Sequence, residues 1–137
     1  MAGYSGTPLD KKLGIKPGHR VLVEGGELPV ALPEAEVVAS GPFDVAVVYV
    51  TERAELEAAW ERLTSSMPAD GALWVAWPKK ASKVPTDMTE DVVREVALPR
   101  RLVDNKVCAI DDVWSGLRLV VRKEHRADWR PQGVAGS

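Results

Sequence analysis

Residues 44–50 read Asp-Val-Ala-Val-Val-Tyr-Val, and this run decides the fold class. It is apolar at consecutive positions, which is typical of a parallel strand covered by helices on both faces. We predict a helix directly after it, over residues 52–66, because apolar residues recur there at helical spacing. A second apolar run follows at residues 72–77. Strand, helix and strand in this order predict a parallel sheet flanked by helices.

The flanking segments extend this pattern. We predict a first strand over residues 20–23, a helix over Asp87–Ala97 that a capping box opens, and a terminal hairpin of residues 106–110 and 117–121. Residues 27–42 hold three prolines and leave room for at most one brief helix. The predicted fold class is therefore a three-layer α/β fold with a mostly parallel five-stranded sheet and an antiparallel C-terminal hairpin.

Length and composition bound the class of protein. The 137 residues suit one domain, which we place at residues 1–126, followed by a flexible tail at 127–137. A net charge of −2 makes nucleic-acid binding unlikely, because such binding usually needs a basic domain. The single cysteine excludes a disulfide within the chain. With no signal-peptide core and no apolar run that could span a bilayer, we predict a cytoplasmic protein without membrane contact, either a monomer or a homodimer.

The candidate site lies at the carboxyl ends of the strands, where parallel sheets bind ligands. If the strand at 106–110 runs parallel to the others, its hairpin turn lies at this edge too, and Tyr4–Thr7 can fold over it. The residues predicted to line the site are Glu24, Gly25, Gly26, Thr51, Lys79, Lys80, Ser82, Lys83, Asp111, Asp112 and Trp114.

Lysines just before a helix can bind a phosphate or carboxylate together with the free amides at the start of that helix. The amides donate hydrogen bonds to the anion, and the lysines supply positive charge. Lys79, Lys80 and Lys83 precede the helix predicted to open near Asp87. The alternative is a solvated loop of lysines, and the Asp87 carboxylate competes for the same amides.

The hairpin turn also has two interpretations. Asp111 and Asp112 are an acid–base or metal pair on one interpretation and ordinary turn residues on the other, which we favour because adjacent strand residues point to opposite faces. Trp114 either stacks on a flat ligand or packs over the sheet edge, and packing is the favoured interpretation. The same alternation places Trp74 and Trp77 on opposite faces of the sheet.

The run from Leu13 to Leu22 and the strands after it resemble the Rossmann-like fold of S-adenosylmethionine-dependent methyltransferases. The resemblance implies a strand order of first, Asp44, Trp74, Leu117 and Lys106 strands, with the Leu117 strand antiparallel. It also implies a glycine-rich cofactor loop, at which this chain has Glu24-Gly25-Gly26. The family also has a second strand ending in an acid that holds the ribose. The twenty or so residues between Glu24 and Asp44 leave room for one short crossover and for no extra strand–helix pair, so this acid has no evident counterpart.

Three further motifs resemble the domain of unknown function 3052 family of small, mainly actinobacterial proteins. They are Gly3-Tyr4-Ser5-Gly6-Thr7-Pro8-Leu9, Trp77-Pro78-Lys79-Lys80-Ala81-Ser82-Lys83 and Asp111-Asp112-Val113-Trp114-Ser115-Gly116-Leu117. This resemblance implies a fold and a lineage but no activity.

The functional prediction follows from the altered cofactor loop beside a charged rim. We predict a non-catalytic binding module with no cofactor, whose strand edge takes a small anionic ligand or a protein partner. The alternative is a minimal S-adenosylmethionine-dependent methyltransferase that uses Glu24-Gly25-Gly26 and Thr51.

Overall fold

A computed structural model describes residues 8–129 of the chain and shows a single six-stranded sheet with helices on both faces. Its strands are β1 (Arg20–Glu24), β2 (Glu36–Val38), β3 (Val45–Tyr49), β4 (Ala72–Pro78), β5 (Leu102–Ala109) and β6 (Trp114–Val121). Its helices are α1 (Leu9–Lys12), α2 (Arg53–Ser65) and α3 (Glu90–Ala97), with short 3₁₀ turns at Lys80–Ser82, Leu98–Arg100 and Lys123–His125. In this part of the chain, every helix is too short or too polar to cross a bilayer.

The strand order is β2-β1-β3-β4-β6-β5. The first four strands run parallel, and β6 runs antiparallel to both of its neighbours, β4 and β5. The order predicted for five strands is confirmed, and β5 runs in the same direction as β4. The sheet itself is mixed and has six strands, which corrects the prediction of a mostly parallel sheet of five.

The additional strand is β2, in the proline-rich segment predicted to hold at most a brief helix. Backbone bonds attach it to the start of β1: Glu36 N donates to His19 O at 2.8 Å, and Gly18 N donates to Glu34 O at 2.8 Å. Its three residues include the β-branched pair Val37 and Val38, which favour extended backbone. A loop connects β1 to β2, so the segment holds a short strand and, as predicted, no strand–helix pair.

The sheet separates two apolar clusters of unequal size. The larger lies under α2 and α3, and its buried residues include Trp60, Trp77 and Leu119. The smaller lies under α1 and the β1–β2 loop, and it includes Tyr49 and Trp74. Trp74 and Trp77 therefore lie on opposite faces, as predicted.

The start of α3 differs from the prediction. The cap is Thr89, whose side chain accepts from Val92 N at 3.1 Å, so Asp87 does not open this helix. Asp87 Oδ1 accepts instead from Arg53 N, the first amide of α2, at 2.7 Å. The carboxylate thus stabilises the helix that lies before it in the sequence.

The end of the chain is packed further than the predicted boundary at residue 126. Trp129 is buried in the larger cluster, and its indole Nε1 donates to Met67 O at 2.7 Å. Trp129 therefore belongs to the packed domain, while the rest of the predicted tail, residues 130–137, and the Tyr4–Thr7 segment lie outside the described residues.

Candidate functional site

A cleft of about 270 Å³ opens at the carboxyl ends of β1 and β3, against one side of α2. It lies where open parallel sheets bind their ligands. The residues that line it are Glu24, Gly25, Val48, Tyr49, Val50, Glu55, Ala58, Ala59 and Arg62. Two of them, Glu24 and Gly25, were predicted for the site.

The glycines after β1 are explained by their approach to Tyr49. Gly25 has φ +81°, and a Cβ there would lie 2.5 Å from the Tyr49 carbonyl oxygen. A Cβ on Gly26 would lie 2.8 Å from the Tyr49 ring. No other residue type fits either position without moving β3, so both glycines let the loop close over the end of that strand.

One ion pair crosses the cleft. The Arg62 guanidinium donates two parallel hydrogen bonds to Glu24, Nη1 to Oε1 at 2.7 Å and Nη2 to Oε2 at 2.8 Å. These hydrogen bonds lower the pKa of Glu24, against the opposing effect of partial burial. Arg62 remains 57% exposed, so the pair is worth less than about 1 kcal/mol and opens readily.

A second carboxylate in the cleft is already occupied. Glu55 Oε1 accepts from Thr51 N at 2.8 Å, from Glu52 N at 3.0 Å and from the Thr51 hydroxyl at 3.2 Å. The two backbone bonds lower the pKa of Glu55 and close the N-terminus of α2. Thr51, a predicted site residue, thus holds the Glu55 carboxylate in place.

The lysines lie beside the hairpin turn, as the direction of β5 required. Lys79 N donates to Val113 O at 2.7 Å, which joins residues 79–83, here called the lysine loop, to the turn. Within the loop, the Ser82 hydroxyl donates to Lys79 O at 2.7 Å, and Lys83 has φ +62°.

The prediction that free amides at the start of α3 help to bind an anion is wrong. Thr89 caps α3, and Glu90 and Asp91 occupy its first turn, so this helix start repels anions. Anion binding by the lysine side chains stays a prediction.

The hairpin turn follows the simpler of its two interpretations. Asp111 Oδ1 accepts from Val113 N and from Trp114 N, both at 2.8 Å. This is side-chain turn chemistry, and Asp112 next to it is exposed. Among residues 8–129, no group of three or more potential metal ligands converges.

Trp114 packs against the end of β3. Its ring meets Tyr49 edge to face, with centroids 5.0 Å apart and planes at 86°. The Tyr49 hydroxyl donates to Glu27 O at 3.0 Å. Burial, with a smaller contribution from the Asp111 charge, raises the pKa of Tyr49 to about 12. Tyr49 therefore joins the glycine loop to the hairpin, and it stays neutral.

Sequence reasoning missed Arg62 and Tyr49 as site residues. Arg62 comes three positions after Ala59, so the helical phase of α2 places it beside the buried stripe. That phase could have indicated which polar residue of α2 faces the strand ends. Tyr49 is the last residue of the strand that decides the fold, and of the carboxyl end that it shares with Val50 and Thr51 only Thr51 was assigned to the site.

Comparisons with known proteins agree on the fold. No protein-family model matches this chain. No curated protein matches it either. The solved structures that resemble it include magnesium protoporphyrin IX methyltransferase from Synechocystis with bound S-adenosylmethionine, at 12% identity and TM-score 0.58, covering 83% of this chain and 74% of that chain.

Two further structures give the same result. A TehB-like S-adenosylmethionine-dependent methyltransferase from Corynebacterium glutamicum is 14% identical, with TM-score 0.51 and coverage of 80% of this chain and 83% of that one. A ribosomal protein L11 methylase from Lactobacillus delbrueckii is 10% identical, with TM-score 0.54 and coverage of 82% and 74%. The chain has a methyltransferase-like Rossmann fold.

This result corrects two predictions, the non-catalytic module and the absence of a cofactor. The three similar structures named above are of methyltransferases or a methylase, and the magnesium protoporphyrin IX methyltransferase is known with S-adenosylmethionine and with S-adenosylhomocysteine bound. The segment between Glu24 and Asp44 holds the short strand β2, although no helix accompanies it there.

Proposed function

We propose that this chain binds S-adenosylmethionine in the β1–β3 cleft and is a small methyltransferase. The observation that carries the proposal is the cleft itself, which opens at the carboxyl ends of β1 and β3 in a sheet of methyltransferase-like topology. Its lining combines a glycine turn, a carboxylate and a guanidinium. When bound, S-adenosylmethionine supplies a methyl group made electrophilic by its sulfonium charge.

The residues of the cleft fit the polar parts of this ligand. Glu24 is held ionised, and its oxygens can accept from ribose hydroxyls or from the ligand's ammonium group. Arg62 can pair with the ligand's carboxylate. Each of these two contacts with the ligand requires the ion pair between Glu24 and Arg62 to open. Opening it costs little free energy, because the Arg62 side chain is exposed.

One part of the family's site has no counterpart. The residues after β2 are Ala39 and Ser40, so no acid follows that strand. We therefore assign the ribose to Glu24, at the end of β1. The glycine loop is also closed against Tyr49, so the ligand lies on the α2 side of Gly25, where the cleft opens.

The lysine loop and the hairpin turn offer a place for the methyl acceptor. Lys79, Lys80 and Lys83 lie in the loop after β4, and β4 is next to β3, whose end forms part of the cleft. Asp112 and Trp114 lie across the Lys79–Val113 contact. Three lysines favour an anionic acceptor, either a small molecule or an acidic protein surface. Membership of the domain of unknown function 3052 family and a cytoplasmic location stay predictions beside this proposal.

The decisive experiment is calorimetric titration with S-adenosylmethionine and S-adenosylhomocysteine. We expect saturable binding, and a loss of about tenfold or more in affinity in Glu24→Gln, because a hydrogen bond to a charged acceptor contributes roughly 1.5–3 kcal/mol and about 1.4 kcal/mol is tenfold. Glu34→Gln, which makes the same change of charge on the exposed β1–β2 loop, should bind like the wild type.

The acceptor is tested with S-adenosylmethionine labelled in its methyl group and an extract of the source cells. The triple variant Lys79→Ala, Lys80→Ala, Lys83→Ala should keep its affinity for S-adenosylmethionine and lose label transfer. Absence of any saturation at about 1 mM S-adenosylmethionine, in calorimetry and in thermal unfolding alike, would overturn the proposed function.

A further inference from the structure

A row of large side chains crosses the sheet on the face that carries α1. Trp74 on β4 lies opposite Arg118 on β6, and Arg118 lies opposite Lys106 on β5. Directly paired residues share a face, so two cations lie side by side next to an indole. The β1–β3 cleft is separate, because it opens against α2 on the other face of the sheet.

The end of α1 lies over this row. Lys106 Nζ donates to Lys12 O at 3.0 Å, and Trp74 Nε1 donates to Leu13 O at 2.9 Å. Gly14 follows with φ +79°, and a Cβ there would meet only Arg118 Nη2, at 4.0 Å. Space therefore remains between the end of α1 and the guanidinium.

The positive charge at this place is not balanced. Arg118 is half-buried, and burial lowers its pKa. Its side chain donates to a neutral acceptor, Asn105 Oδ1, at 3.3 Å. The ion pairs formed within residues 8–129 involve neither Arg118 nor either lysine.

Arg94, on the opposite face of the sheet, differs from Arg118, because carboxylates balance its charge. It forms ion pairs with Glu90, Asp91 and Asp104. Like charges directly opposite each other on neighbouring strands destabilise the sheet. Desolvation of one of them adds to this cost. A bound anion removes both penalties.

We propose that Arg118, Lys106 and Lys12 form a binding site for a phosphate group. The planar guanidinium of Arg118 can donate two parallel hydrogen bonds to phosphate oxygens, and the two ammonium groups supply point charges at the rim. The phosphate belongs either to the free ion or to a phosphomonoester. The site is independent of the proposed methyltransferase activity.

The chain has a reporter for this site in its single cysteine. Cys108 lies two residues after Lys106 on β5. Burial raises the pKa of its thiol, and the charges of Lys106 and Lys12 lower it. A dianion bound at the two lysines cancels that lowering, so less thiolate is present at a given pH.

The experiment measures the rate at which neutral iodoacetamide alkylates Cys108, at fixed pH and ionic strength, while phosphate replaces chloride. We expect the rate to fall saturably by about twofold or more, because a pKa rise of roughly 0.3 halves the thiolate fraction. Repeating the titration with glycerol phosphate distinguishes a phosphomonoester from the free ion. Saturation at a lower concentration of glycerol phosphate identifies a phosphomonoester site. Saturation at a lower concentration of inorganic phosphate identifies a site for the free ion.

Arg118→Gln should abolish the saturation, whereas Arg20→Gln, an exposed arginine on β1, should leave it unchanged. If Arg118→Gln does not fold, Lys12→Gln replaces it with the same expectation. A rate that does not depend on phosphate, or that saturates equally in the Arg118 or Lys12 variant, overturns the proposal.

Discussion

At the scale of single residues, two glycines with the same backbone conformation have different roles. Gly25 and Gly18 both have positive φ, at +81° and +84°. A Cβ on Gly18 would meet no atom within 4 Å, whereas a Cβ on Gly25 would lie 2.5 Å from a backbone oxygen. Position 18 requires glycine for its backbone conformation alone. Position 25 requires glycine both for its conformation and because no space remains for a side chain.

The comparison of Gly25→Ala with Gly18→Ala therefore separates the two effects. Gly18→Ala should lower the free energy of unfolding by about 1–2 kcal/mol, the cost of a left-handed alanine. Gly25→Ala should cost roughly 1–3 kcal/mol more, because the loop must move away from Tyr49. Urea denaturation of both variants measures the difference, and equal losses would show that the close approach to Tyr49 carries no energy.

Single residues also show where local sequence suffices. Asp111 was predicted to be a turn residue because aspartate favours tight turns, and its carboxylate accepts there from the amides two and three positions ahead. Glu24 and Arg62 meet across 38 positions of sequence. Their pairing depends on the placement of α2 beside β1, which no local pattern encodes.

At the scale of elements, α2 has a second cap that comes from another segment of the chain, in addition to the bonds that Glu55 accepts. Asp87 binds the first amide of α2 and belongs to the segment that leads into α3. The sequence Asp87-Met88-Thr89-Glu90 holds two suitable caps, and local spacing does not show which helix each one serves. That choice is made by the packing of α2 against α3, which explains why the predicted capping box was wrong.

Asp87→Ala should therefore destabilise the protein by about 1 kcal/mol, as the loss of a cap does. The effect should appear in α2, as faster amide hydrogen exchange in its first turn, while α3 keeps its protection under Thr89. Asp112→Ala, at an exposed turn position, should change stability by less than about 0.5 kcal/mol. Loss of protection in α3 instead of α2 would contradict this assignment.

At the scale of the whole molecule, general rules predicted more of the fold than of the site. The apolar runs at β3 and β4 predicted a parallel sheet flanked by helices, and the resemblance to methyltransferases implied the order of five strands that the structure shows. β2 was missed because its three residues carry too little periodicity to be read, and backbone bonds to residues 18 and 19 define it instead. The strand-end rule found Glu24 and Gly25, but not the side of the sheet on which the cleft opens.

The whole molecule also depends on its last described residue. Trp129 extends the larger apolar cluster, and it satisfies Met67 O just beyond the end of α2. Trp129→Ala should lower the free energy of unfolding by roughly 3–5 kcal/mol, as the loss of a buried tryptophan does. Trp129→Phe keeps an aromatic ring and loses the hydrogen bond, so it should cost only about 1–2 kcal/mol. Urea denaturation with a fluorescence readout measures the stability of both variants. Near-wild-type stability of Trp129→Ala would show that the core packs without this residue. That result would agree with a flexible tail that begins at residue 127.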